Sequence, residues 1–120
     1  MMTPLEMAEI AVKALDSKKA KDIKMLKTKD ITILADYFVI CTASSTTQIK
    51  TLSDEVSKTL SEKGEPPIRS EGYRDGGWIL VDFGCLIVHI FLDDIRKFYS
   101  LERLWNDAPV MDIEKLLTAD

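Results

Sequence analysis

Apolar residues recur along the 120-residue chain with two different periods. Helical spacing comes first: Leu5, Ala8, Val12 and Leu15 fall on one face, and Ile10, Ala11 and Ala14 widen the stripe. Thr3-Pro4-Leu5-Glu6 supplies its start, with threonine as N-cap, proline in the first helical position and glutamate three residues after the cap, the arrangement of a capping box. The helix is expected to end near Lys18. From Asp22 to Lys27 polar and apolar residues alternate, which predicts a strand with one wet face at or near a sheet edge. Tyr37 to Thr42 is apolar almost throughout and predicts an interior strand.

Ser45-Thr-Thr-Gln48 offers a second capping box, and Ile49, Leu52, Val56 and Leu60 follow down one helical face. Gly64 closes that helix, and prolines at 66 and 67 prevent its continuation. Pro67 to Tyr73 reads as a short strand ahead of the polar turn Arg74-Asp-Gly-Gly77. Trp78 to Phe83 and Leu86 to Leu92 are apolar runs separated by Gly84-Cys85, the spacing of a two-residue hairpin whose first turn residue must accept positive φ. In that register Phe83 faces Leu86, Asp82 faces Ile87 and Leu80 faces His89, leaving Asp82 and His89 diagonal neighbours. One or two helical turns follow from Ile95, Phe98, Tyr99, Leu101, Leu104 and Trp105, and Asp112 to Leu117 reads as a last short helix behind Pro109. The order α, β, β, α, β, β, β, α predicts an α/β mixed class: a single mixed β-sheet flanked by helices.

Composition narrows the class of function. The chain has the length of one domain, a balance of 46% hydrophobic and 30% charged residues, and no apolar run approaching a membrane span. Its acidic N-terminus lacks a signal-peptide pattern, so a cytoplasmic protein is expected. Cys41 and Cys85 lie in apolar runs and read as small buried hydrophobes. The net charge of -4 is concentrated in residues 61–120, where twelve acidic residues meet seven basic ones. Such a surface repels a phosphate backbone and suits a basic protein. Lys18, Lys19, Lys21, Lys24, Lys27 and Lys29 lack interleaved aromatics and leave RNA at most a peripheral role.

The marks of an enzyme are absent. One histidine and two cysteines on separate apolar runs fall short of a zinc ligand set. No Gly-x-Ser-x-Gly turn or phosphate-cradling glycine pattern occurs, and Asp93 and Asp94, being adjacent, would point to opposite faces of a strand. His89, in an apolar run, reads as a structural residue rather than a catalytic one. Trp78, Phe98, Tyr99, Leu101, Leu104 and Trp105 are many large apolar groups for one region. They fit either internal packing or a binding surface flanked by Asp75, Asp82, Asp93 and Glu102.

LADYFVI (34–40), STTQIKTLSDEV (45–56), GWILVDFG (77–84), VHIF (88–91) and FYSLERLWNDA (98–108) resemble, in order and spacing, the ribosomal silencing factor family, RsfS or Iojap. The resemblance implies an RsfS/Iojap-like domain over residues 1–108 and a tail over 109–120, in a nucleotidyltransferase-like fold without catalytic carboxylates. It implies no enzymatic activity, no cofactor and no metal. Its implied partner is the large ribosomal subunit at its protein fourteen, bound so as to block association with the small subunit and repress translation under nutrient limitation. Trp78, Asp82, Tyr99, Leu101, Glu102, Leu104 and Trp105 match the family pattern as partner-binding residues, with His89 and Gly84 matching as structural ones. Cys85 stands where the family usually has aspartate after Gly84. Exposed apolar groups would also allow a homodimer through an overlapping patch. The alternative from another class is a divergent nucleotidyltransferase-like enzyme.

Overall fold

A computed structural model describes residues 2–29, 35–74, 77–99 (side chains only to 96) and 108–117. The elements run α1 (Pro4–Ser17), β1 (Lys21–Lys27), β2 (Tyr37–Ala43), α2 (Thr46–Glu62), β3 (Arg69–Glu71), β4 (Trp78–Asp82), β5 (Leu86–Leu92) and α3 (Asp93–Tyr99), with a 3₁₀ turn over Glu114–Leu116. They form the expected class, one mixed sheet flanked by helices, with strand order β1-β2-β5-β4-β3. β2 and β5 run parallel; the other neighbouring pairs are antiparallel.

Period-two alternation sorts the side chains onto two faces. Met25, Val39, Cys41, Ile79, Val81, Leu86, Val88 and Ile90 meet α1 and α2 in the larger core. Leu26, Phe38, Ile40, Ile87 and Phe91 form a second cluster on the opposite face, with Trp78, Leu80 and Ile95 partly buried against it. β2 is apolar throughout because every one of its residues is buried.

The Thr3 capping box forms as expected: Thr3 Oγ1 accepts from Glu6 N–H at 3.1 Å and Glu6 Oε1 accepts from Thr3 N–H at 2.9 Å. Its helix buries a slightly different face, with Met7 inside and Leu5 37% exposed. Met7 reaches Cys85, its Sδ 3.5 Å from Sγ. At α2 the box is incomplete. Ser45 Oγ accepts from Gln48 N–H at 3.0 Å, but Gln48 Oε1 accepts instead from the Ser44 N–H and hydroxyl at 2.6 and 2.7 Å. Gln48 Nε2 donates to the carbonyls of Lys18 and Lys19 at 3.2 and 3.1 Å, clamping the end of α1 to the start of α2.

Both long helices end in Schellman turns. Ala20 N–H donates to Leu15 O while Lys19 N–H donates to Asp16 O, and Glu65 and Gly64 repeat the pattern against Leu60 and Ser61. Gly64 takes the left-handed conformation without a steric penalty, whereas α1 places Lys19 there at φ 65°.

The segment after Ala108 straps the outer edge of β1. Lys27 N–H donates to Pro109 O at 2.9 Å, Val110 bridges Leu26, and Met111 N–H donates to Met25 O at 2.8 Å. Ala108 is buried in the second cluster and Ile113 in the larger one, so the strap passes from one face of the sheet to the other. Ending the chain at Ala108 exposes the β1 edge and removes Ile113 from the core. The expected loss is about 3 kcal/mol of folding stability, read as a lower urea midpoint; an unchanged midpoint would show that the strap contributes nothing.

Candidate functional site

The face of the sheet turned away from α1 and α2 carries the side chains of interest. The β4–β5 hairpin has the register expected from its two-residue turn: Leu80 lies opposite His89, Asp82 opposite Ile87, and Phe83 N–H donates to Leu86 O at 2.8 Å. Gly84 adopts φ +90°, the conformation that the spacing demands. Trp78 pairs with Phe91, and their rings stack at 5.0 Å between centroids. His89 lies among Phe38, Trp78 and Phe91, with centroids 5.1, 5.9 and 6.1 Å away.

The diagonal Asp82–His89 contact does not form. Asp82 turns to its own strand end, where Oδ1 accepts from Gly84 N–H at 2.8 Å and Oδ2 from Arg69 Nε at 3.3 Å. A carboxylate reaches a nearby turn amide more readily than an imidazole enclosed by aromatic rings. His89 Nδ1 instead accepts from Trp78 Nε1–H at 3.2 Å. The neutral ring therefore carries its proton on Nε2, a buried atom with no hydrogen-bond partner among the described residues. Burial pushes the His89 pKa down to about 4, because the imidazolium would lose its water and gain no carboxylate.

Residues of α3 frame this face. Ile95 packs on the second cluster, and Arg96 is buried, its Nη1 donating to Asp22 O at 2.8 Å and Thr42 Oγ1 at 2.7 Å. The β1–β2 register shifts between Lys21 and Lys24, and Asp22 takes φ 50° there. The irregularity presents a carbonyl that the guanidinium holds, pinning α3 to the far side of the sheet. Nothing in the sequence pattern singled out Arg96. Its one signal is a cation beside apolar Ile95 and Phe98 in a short helix.

Trp78, Asp82, Gly84 and His89 thus share one hairpin, but only Trp78 and His89 touch as side chains. The side chain of Tyr99, together with Leu101, Glu102, Leu104, Trp105 and Asp75, lies outside the described residues. Glu71 of β3 projects beside Trp78 and Leu80, and the three line a pocket of about 290 Å³ with Gly72. The exposed Asp93 and Asp94 open α3 just after Leu92, whose N–H donates to Gly77 O at 3.0 Å. Glu71 is thus the carboxylate residue that lines the pocket with the indole. Cys41 is enclosed, and burial pushes its thiol up to about 12, leaving no thiolate at neutral pH. No three His, Cys, Asp or Glu side chains among the described residues gather as a metal site, and no described helix is long and apolar enough to cross a membrane.

Two outcomes test this geometry. Because the folded His89 titrates near 4 and the unfolded one near 6.5, the unfolded chain binds the extra proton between those values. The contribution is complete above about pH 6.5 and falls away as the pH drops toward 4, a loss of roughly 3 kcal/mol. Urea midpoints at pH 7 and pH 4 should converge by that amount in His89→Phe relative to the unsubstituted chain; equal pH slopes would refute the assignment. Arg96→Met leaves two acceptors unpaired and is expected to cost about 2 kcal/mol or more, with faster amide exchange in α3 than in α2.

Comparison with known proteins supports the same fold. The family model described as "Ribosomal silencing factor during starvation" matches residues 2–120. A ribosomal silencing factor from Halalkalibacterium halodurans is 38% identical over 117 residues, covering 98% of this chain and 100% of that protein. The mouse protein named "Mitochondrial assembly of ribosomal large subunit protein 1" is 30% identical over 101 residues, covering 82% of this chain and 44% of its own length. A crystal structure of a Chromobacterium violaceum protein superposes with a TM-score of 0.86 at 37% identity, covering 88% of each chain.

Proposed function

The chain belongs to the ribosomal silencing factor family, and on that premise we propose that it binds the large ribosomal subunit at its protein fourteen, blocks association with the small subunit and represses translation under nutrient limitation. The action is occupancy without chemical turnover. A bound factor of this size excludes the small subunit wherever their footprints overlap, and silencing then depends only on concentration relative to the dissociation constant.

The observation that carries this reading is the sheet face around Trp78, a partly exposed indole held by stacking on Phe91 and by its hydrogen bond to His89, with Glu71 beside it and the exposed Asp93 and Asp94 opening α3. Tryptophan held in one rotamer makes an efficient interface anchor, because little side-chain freedom is lost on binding. A carboxylate fringe draws a basic partner and repels RNA phosphates, so any RNA contact by the Lys18 to Lys29 group is peripheral. The name of the mouse relative also refers to the large ribosomal subunit. Trp78, Asp82, Tyr99, Leu101, Glu102, Leu104 and Trp105 are proposed as the partner-binding set. Asp82 would act by bracing Arg69 and the turn, since both of its oxygens are engaged. Action in the cytoplasm, and self-association through an overlapping patch at high concentration, belong to the same proposal.

Sedimentation with separated subunits tests it. The chain should travel with large subunits and reduce their joining to small ones. Trp105→Ala or Glu102→Lys should lower the bound fraction at least tenfold with an unchanged circular dichroism spectrum. Full subunit joining at saturating factor would sink the reading.

A further inference from the structure

The pocket beside Trp78 has a shape and charge more specific than a general anchor requires. Its lining combines Leu80 and Trp78, each partly exposed, with the acidic residue Glu71. At about 290 Å³ it lies just under the usual range for small-molecule sites and suits one long side chain. Gly72 also lines it. That residue sits at φ +85°, and a Cβ there would run into the Trp78 carbonyl, so only glycine fits at this position. The corner is braced from behind by Tyr73, whose hydroxyl donates to Asp54 Oδ2 at 3.1 Å.

Electrostatics then select the occupant. Arg69 is the basic group within ion-pair distance of Glu71 among the described residues. Its Nε lies 3.3 Å from Asp82, and its Nη1 only comes within 4.0 Å of Glu71. The Glu71 side chain is 60% exposed and keeps acceptor capacity for an incoming cation. His89 behind the indole is neutral and adds no opposing charge.

We propose that the slot formed by Glu71, Gly72, Trp78 and Leu80 receives a single lysine or arginine side chain of the ribosomal protein partner. Its aliphatic stem lies on Leu80 and the indole, and its charged head meets Glu71. This assignment rests on the ribosome-binding reading above and adds Glu71 as its specificity-determining residue.

Two measurements on the full chain separate the slot from the wider reading. In the first, n-butylammonium and its uncharged counterpart n-butanol are titrated while the Trp78 indole N–H resonance, identified by its absence in Trp78→Phe, is followed. Butylammonium should shift that resonance in the millimolar range, butanol should shift it less, and Glu71→Gln should abolish the difference while Glu62→Gln retains it. Equal shifts from both probes, or a difference that survives Glu71→Gln, would overturn the slot. In the second, binding to isolated large subunits is measured at several salt concentrations. Glu71→Gln should bind at least tenfold more weakly, with a shallower salt dependence. If Glu71→Gln binds as tightly as the unsubstituted chain, the slot is wrong and the ribosome reading stands. If the unsubstituted chain fails to bind, the ribosome reading is wrong, and the butylammonium titration alone decides what the slot accepts.

Discussion

Parallel pairing of β2 with β5 is the constraint on which the molecule is built. The two strands run side by side over seven residue pairs and are enclosed on both faces except at Leu92. Double burial requires apolar cover on each side, and the chain supplies it unequally. Two long helices close one face. Among the described residues the other face receives the short α3, and Trp78 and Leu80 are partly exposed there. The candidate surface is thus a by-product of how the central pair is covered.

One polar group is built into that arrangement at a cost. His89 sits in the middle of β5 with one nitrogen satisfied by Trp78 and the other without a partner among the described residues. A buried donor without an acceptor typically costs 1–3 kcal/mol. In return the indole is held by a directed bond as well as by stacking, which fixes its plane where packing alone would let it slide.

Much of the architecture was legible in the sequence because local rules and burial agreed. The α2 stripe Ile49, Leu52, Val56 and Leu60 is buried as its period predicts, and the hairpin register follows from Gly84-Cys85. Readings failed where a side chain had two local options. Gln48 turned its amide oxygen to Ser44 instead of closing the box at Ser45, and Asp82 chose the turn amide over His89. Such choices depend on which backbone groups tertiary contacts bring near, which spacing does not encode. Arg96 and Glu71 were missed for a related reason. Each gains its meaning from a distant partner, Thr42 and Asp22 for one and the Trp78 corner for the other, so no short window contains both halves. Family resemblance, in contrast, was carried by ordered motifs and needed no geometry.

The strap over β1 bears on how the protein is made. Synthesis delivers the N-terminal elements first, so β1 and β2 leave the exit tunnel well before residues 109–113. Through that interval the outer side of β1 offers bare amides and carbonyls to any extended polypeptide nearby, including other nascent chains. Prompt emergence of the strap therefore matters more to this fold than to one whose edges are closed by elements translated early. Crowded polysomes are the setting in which its misassembly would arise.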